Sequence, residues 1–191
     1  MILITVFVLV GYLSGNVLYA RIFISLLKKD NKIEESIDKN PGTLNAYLYG
    51  GIGCGFFTLF FDILKGFVPV YLFHNYNDIV YFGDFVSGLI LATPVIGHAF
   101  PIFYRFKGGK AVAVTFGCLL GLLPIWQPFI ILSGCFAIFL FIIKINSHFH
   151  RTLVAYITSD IMIFFLIDEK YICLGFSLIT IIVFIKLFNK N

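Results

Sequence analysis

Fourteen residues, Gly97-His98-Ala99-Phe100-Pro101-Ile102-Phe103-Tyr104-Arg105-Phe106-Lys107-Gly108-Gly109-Lys110, place three cations and a Gly-Gly pair between two strongly apolar segments. A lipid-facing run has no use for such residues, because a charge near the bilayer centre costs at least ~2.5 kcal/mol even on the lenient insertion scale. Glycines flanked by lysines offer backbone N–H groups together with ammonium charge, a combination that suits a phosphate. The alternative is a positive-inside loop that only fixes topology. The order is not that of a Walker loop, since G-x-x-x-x-G-K-[ST] is absent. His98, just upstream, offers a base, an anion contact or simply a hydrogen-bonded helix histidine.

Two further groups carry chemistry. The segment Asp38-Lys39-Asn40-Pro41-Gly42-Thr43-Leu44-Asn45 holds an Asn-Pro-Gly turn. Thr43 is placed to cap a following helix, whose free N–H groups are either an anion site or an ordinary cap. In Phe61-Asp62-Ile63-Leu64-Lys65-Gly66, Asp62 and Lys65 stand three apart inside an apolar run and face the same side of a helix. Such a pair is either functional or a structural ion pair. Asp160 is expected to pair with Ser159 or a neighbouring helix. Ser14-Gly15-Asn16 interrupts the first apolar run, as small polar residues do where helices pack closely. His148 and His150, two apart, make a poor metal pair, and no Ser/His/Asp triad is legible.

The elements that must position these residues follow from composition. The chain has 191 residues, 60% hydrophobic and 13% charged, with mean hydropathy +0.97. Soluble domains are roughly 45–50% apolar and about 25% charged, so the class is an all-α polytopic membrane protein forming one domain over 1–191. Candidate spans are 2–24, 52–73, 84–103, 111–125, 127–146, 152–167 and 171–188, with a short extra helix over 43–51. Residues 111–125 either cross fully or dip in and return. The first apolar run lacks a basic lead and a small-x-small cleavage site, and is expected to be retained. Seven spans with the N-terminus outside leave, of the 14 Lys and Arg, Lys170 outside and Lys65 within a span. The other twelve then fall inside, as the positive-inside rule requires of a cytoplasmic C-terminus. Cys54, Cys118, Cys135 and Cys173 show no C-x-x-C spacing and read as small hydrophobes. Nothing points to a metal or to nucleic acid, and no pair of interrupted helices in matching halves suggests a transporter.

Taken in order, these motifs resemble the bacterial acyl-phosphate:glycerol-3-phosphate acyltransferases of the PlsY type. The shared series is the break in the first helix, Asn-Pro-Gly-x-x-Asn, Asp-x-x-Lys-Gly, and Gly-His-x-Phe-Pro-x-Phe-x-x-Phe-Lys-Gly-Gly-Lys. It covers about residues 1–165. The resemblance implies transfer of a fatty acyl group from acyl phosphate to glycerol 3-phosphate, forming lysophosphatidic acid for phospholipid synthesis. It implies no cofactor, a monomer in the bacterial inner membrane and a cytoplasmic active face. By analogy Lys107, Gly108, Gly109 and Lys110 hold a substrate phosphate, and Asn40, Pro41, Gly42 and Asn45 form the other wall. Asp62 and Lys65 support them, and Lys107, Lys110 and His98 are the candidate catalytic groups. The chain departs from the family at several positions. Asp38 and Lys39 stand where the family has Ser-Gly, and Thr43 and Leu44 where it has Ala-Thr. Leu48 stands where it has an Arg, Ala111 for a Gly, Val114 for a Thr, and 184–191 lack the His, Arg and Glu. Ser36, Lys39 and Arg21 are the candidates to compensate. The alternative is a lapsed relative that binds phospholipid head groups or scaffolds a membrane complex.

Overall fold

The computed structural model describes residues 2–27, 36, 40–76 and 82–189, and every regular element among them is helical. Helix α1 (Ile2–Asn16) breaks at Val17-Leu18 and resumes as α2 (Tyr19–Leu26). There follow α3 (Thr43–Gly50), α4 (Ile52–Tyr76), α5 (Asp84–Ala99), a 3-10 turn (Ile102–Tyr104) and α6 (Val112–Leu120). Helix α7 (Gln127–Ala137) runs into a π turn (Ile138–Ile142), and α8 (His148–Leu166) and α9 (Lys170–Phe188) complete the chain. Five stretches are long and apolar enough to cross a membrane: Ile2–Leu26, Ile52–Asn75, Asp84–Tyr104, His148–Leu166 and Lys170–Phe188. Gln127–Ile142 is apolar but shorter.

The apolar run 111–125 yields a helix of only nine residues. At 1.5 Å per residue it measures roughly 14 Å, about half of a ~30 Å hydrocarbon core. It turns back through residues 121–124 before α7 begins. Hydrophobicity alone does not separate this short helix from a full span.

Helix α5 is the central post, packed against α1 on one side and α9 on the other. Its Leu91, Ala92, Val95 and Ala99 join Val114 and Cys118 of α6, Tyr156 and Ile163 of α8, and Phe176 and Val183 of α9 in one core. The small residues of α1 bring it onto α5 at backbone distance. A methyl group on Gly15 would meet Gly97 Cα at 2.9 Å, and one on Gly97 would meet Gly15 Cα at 3.0 Å. The expected close packing at this break is therefore present. Helix α2 lies on α4 through stacked Tyr19 and Phe61 rings, 4.9 Å apart. Asp160 accepts from Ser177 Oγ of α9 at 2.9 Å, so its partner is the neighbouring helix, not Ser159. All four cysteines are free.

Two local details differ from expectation. The N-cap of α3 is Gly42, with no side-chain cap; Thr43 is already the first helical residue. Ala111, at a position where the family pattern has glycine, adopts φ 58°, and Arg105 and Phe106 share that left-handed region at 53° and 62°. For an L-residue this conformation costs roughly 1–2 kcal/mol.

Candidate active site

The ends of α3, α4 and α6, the C-terminal end of α5 and the start of α8 enclose a cavity of about 530 Å³. Leu44, Tyr47, Phe56, Leu59, Val112 and Phe116 give it apolar walls. Asn40, Gly42, Asp62, His98, Lys110 and His148 supply polar groups to the same lining.

The break in α1 prepares the deepest part of this wall. Where α1 stops, the Val17 carbonyl leaves the helical ladder and accepts from Lys65 Nζ at 2.5 Å. Lys65 also pairs with Asp62 Oδ1 at 2.8 Å, as the three-residue spacing predicts, and contacts His98 Nδ1 at 2.8 Å. Ser14 Oγ donates to the Lys65 carbonyl at 2.8 Å, and Asn16 Oδ1 accepts from the Ile102 amide at 2.5 Å. The residues that interrupt the first helix are thus the ones that tie it to α4 and to the start of the cationic loop. Asp62 and Lys65 are almost wholly buried and paired with each other, and Lys65 also reaches Val17 and His98. They hold the wall, and Lys65 has its donors committed there.

The Lys-Gly-Gly-Lys loop divides into parts with different tasks. Gly108 and Gly109 are buried, Lys107 is exposed, and Lys110 lines the cavity. A side chain on Gly108 would collide with the His98 carbonyl, and one on Gly109 with His98 Nε2 while meeting Asn40 Oδ1 at 2.9 Å. The Gly109 amide donates to the His98 carbonyl at 3.2 Å, and the Lys110 amide donates to Asn40 Oδ1 at 3.2 Å. Two amides that the sequence offered to a phosphate are therefore spent on seating the loop. The paired glycines serve close approach to His98, and the Lys110 side chain supplies the cation at the cavity.

The Asn-Pro-Gly loop meets this seat from the other side. Asn40 accepts from the Lys110 amide through its side chain and from Asn45 Nδ2, at 2.8 Å, through its carbonyl. Asn45 Nδ2 also donates to buried Ser36 Oγ at 3.2 Å. Asn40 and Gly42 line the cavity, whereas Asn45 and Ser36 brace them from behind. Lys39 lies outside the described residues. Leu48, at the family's Arg position, is 61% exposed and does not line the cavity. The Arg21 guanidinium lies over the Tyr104 ring, 5.5 Å from its centroid, and is also absent from the lining.

Two residues, one in the cavity lining and one behind it, were not identified from the sequence. His148, at the start of α8, lines the cavity although it lies well beyond the cationic loop in sequence. Lys186 of α9 is buried with its ammonium 5.2 Å from the Phe100 ring centroid, two residues beyond His98. A lysine inside an apolar run is the sequence signal for Lys186. Among the described residues no group of three or more His, Cys, Asp or Glu side chains is placed to hold a metal ion.

Comparison with known proteins places this geometry in a family. The family described as "Glycerol-3-phosphate acyltransferase" matches residues 5–191. The protein of that name from Staphylococcus haemolyticus is 35% identical over 194 residues, covering 99% of this chain and 92% of the relative. Those from Mycoplasma pneumoniae and Actinobacillus pleuropneumoniae are 36% and 40% identical, over 65% and 62% of this chain. The matches span only 56% and 59% of the length of these two curated relatives. Crystal structures of PlsY (YgiH), an integral membrane glycerol 3-phosphate acyltransferase, share the fold. Its lysophosphatidic acid form gives a TM-score of 0.77 at 22% identity, covering 96% of this chain and 87% of that one. Its glycerol 3-phosphate form gives 0.76 at 24%, with the same coverage.

Proposed function

Because the chain belongs to the glycerol-3-phosphate acyltransferase family, we propose that it transfers a fatty acyl group from acyl phosphate to the 1-hydroxyl of glycerol 3-phosphate. The hydroxyl oxygen bonds to the acyl carbon, the bond from that carbon to the phosphate oxygen breaks, and the hydroxyl proton ends on the departing phosphate. The products are lysophosphatidic acid and inorganic phosphate. One observation carries the reading: a single cavity joins apolar walls to Asn40, His98 and Lys110. An acyl chain suits the former and a phosphate the latter.

Acyl phosphate is already activated, so groups that position it and offset its charge supply much of the rate. Lys110 is the principal phosphate contact, with Lys107 at the outer edge of the same loop. Asn40 and Gly42 face it, Ser36 and Asn45 brace them, and Asp62 with Lys65 keeps the back wall rigid. Lys39 belongs to this face by sequence. The reaction needs neither metal nor dissociable cofactor.

Residues 1–191 act as one monomeric multi-pass domain in a bacterial inner membrane with the N-terminus outside, and the nine-residue α6 dips in without a full crossing. The cavity then opens on the cytoplasmic side, where both phosphate substrates arrive. This orientation is favoured by the clustering in sequence of Arg105, Lys107, Lys110, Lys144 and Arg151 around Lys110 and His148, which line the cavity. The test offers the protein in lipid nanodiscs glycerol 3-phosphate with acyl phosphate or with an acyl thioester. Lysophosphatidic acid from acyl phosphate alone is the expected result. Product from the thioester alone overturns the donor, and product from neither favours a head-group-binding role.

A further inference from the structure

An ammonium carries three N–H donors and no acceptor. Three acceptors lie within 2.8 Å of Lys65 Nζ: the Val17 carbonyl, Asp62 Oδ1 and His98 Nδ1. The lysine is 4% exposed, so this set accounts for its donors. Nδ1 of His98 must therefore accept. An imidazolium would bring two donors face to face at 2.8 Å, and the opposite neutral tautomer would do the same. The remaining arrangement is a neutral ring protonated on Nε2.

That second nitrogen points to the site. A Cβ added at Gly109 would collide with Nε2 and would also meet Asn40 Oδ1. His98 lines the cavity and is 2% exposed, yet among the described residues its Nε2 has no hydrogen-bond partner. We propose that Lys65 locks His98 as the Nε2–H tautomer, making the ring a fixed hydrogen-bond donor to an anionic phosphate oxygen of a substrate rather than a base. This proposal rests on the acyltransfer reading for the identity of the ligand. Asp62 and Lys65 are positioning residues that act through the ring. An N–H held in place in a water-poor wall needs no reorganisation when charge shifts onto the phosphate. Gly109 completes the device, because any side chain there would bury Nε2.

The experiment is nitrogen NMR of the whole protein in nanodiscs, labelled with ¹⁵N-histidine. There are four histidines, His74, His98, His148 and His150, and His98→Gln identifies the signal. The expected spectrum shows a pyridine-type Nδ1 and a protonated Nε2 for His98. Inorganic phosphate shifts the Nε2–H resonance, and the Lys65→Met protein loses the fixed tautomer. A protonated Nδ1, or an Nε2–H that phosphate leaves unmoved, overturns the proposal. Titrating glycerol 3-phosphate and acyl phosphate separately shows which phosphate the ring meets. In turnover, His98→Gln keeps an amide N–H near the Nε2 position and His98→Asn does not. His98→Asn should lose about 10- to 100-fold more kcat/KM than His98→Gln, the range of a hydrogen bond to a charged group. Equal losses in the two variants contradict the donor role. The NMR measurement needs no turnover, so an inactive wild type with this tautomer and phosphate shift would overturn acyl transfer and leave His98 as the donor.

Discussion

Gly109→Ala adds one methyl group at the tightest point of the site. The new carbon would collide with His98 Nε2 and sit 2.9 Å from Asn40 Oδ1. His98 has little freedom to yield, because Lys65 holds Nδ1 at 2.8 Å. If the ring and loop stay in place, overpacking of this kind costs about 1–3 kcal/mol. If the loop lifts away instead, it loses the Gly109–His98 and Lys110–Asn40 hydrogen bonds. At about 0.5–1.5 kcal/mol each, those two also come to about 1–3 kcal/mol. The second route displaces Lys110, and a misplacement of about 1 Å can cost on the order of 10²-fold in rate. The control is Gly134→Ala in α7, where an added methyl meets nothing within 4 Å. There the change should stabilise by roughly 0.5–1 kcal/mol. The assay pairs denaturant unfolding in a fixed detergent with lysophosphatidic acid formation. A Gly109→Ala protein as stable and active as wild type would refute the close seating of the loop on His98.

Lys110→Ala should raise KM for the phosphate substrates by about 10- to 100-fold, whereas Lys107→Ala, exposed and outside the lining, should raise it less; steady-state kinetics on folded protein decide. Lys65→Met leaves Asp62 buried without its partner and should destabilise by about 3–5 kcal/mol, while Asp62→Asn/Lys65→Met together should recover part of that loss in the same unfolding assay. Ala111→Val forces a β-branched residue into φ 58° and should cost more than ~2 kcal/mol, whereas Ala111→Gly should stay within ~1 kcal/mol of wild type. Leu59→Trp narrows the apolar wall and should slow long-chain acyl phosphates more than short ones; an unchanged chain-length profile would remove Leu59 from the acyl groove.

What the sequence made legible was mostly local. The spacing of Asp62 and Lys65 predicts their pairing, and the Ser14–Asn16 interruption predicts close helix contact; both depend on residues near each other in the chain. The contact of Lys65 with His98 joins residues 33 apart and with Val17 joins residues 48 apart. It requires α1, α4 and α5 to pack in one particular way, which no local pattern specifies. The glycines of the cationic loop illustrate the same limit. Their composition matches a phosphate cradle and a tight seat equally well, and only the position of His98 distinguishes the two. Sequence spacing pairs His148 only with His150, two residues on, whereas the fold sets it in the same cavity lining as Asn40 and Lys110. The length of α6 was hidden for another reason: 111–125 is uniformly apolar, and the turn at 121–124 interrupts the helix without interrupting the hydrophobicity.

The central claim is that the cavity beside Lys110 transfers an acyl group between two phosphate-bearing substrates. Its most direct test incubates the purified protein in nanodiscs with acyl phosphate and isotopically labelled glycerol 3-phosphate, following both products. Wild type should release lysophosphatidic acid and inorganic phosphate one for one, and Lys110→Ala of unchanged fold should lose both together. No lysophosphatidic acid from wild type, with the Staphylococcus haemolyticus relative active in parallel, would contradict the account.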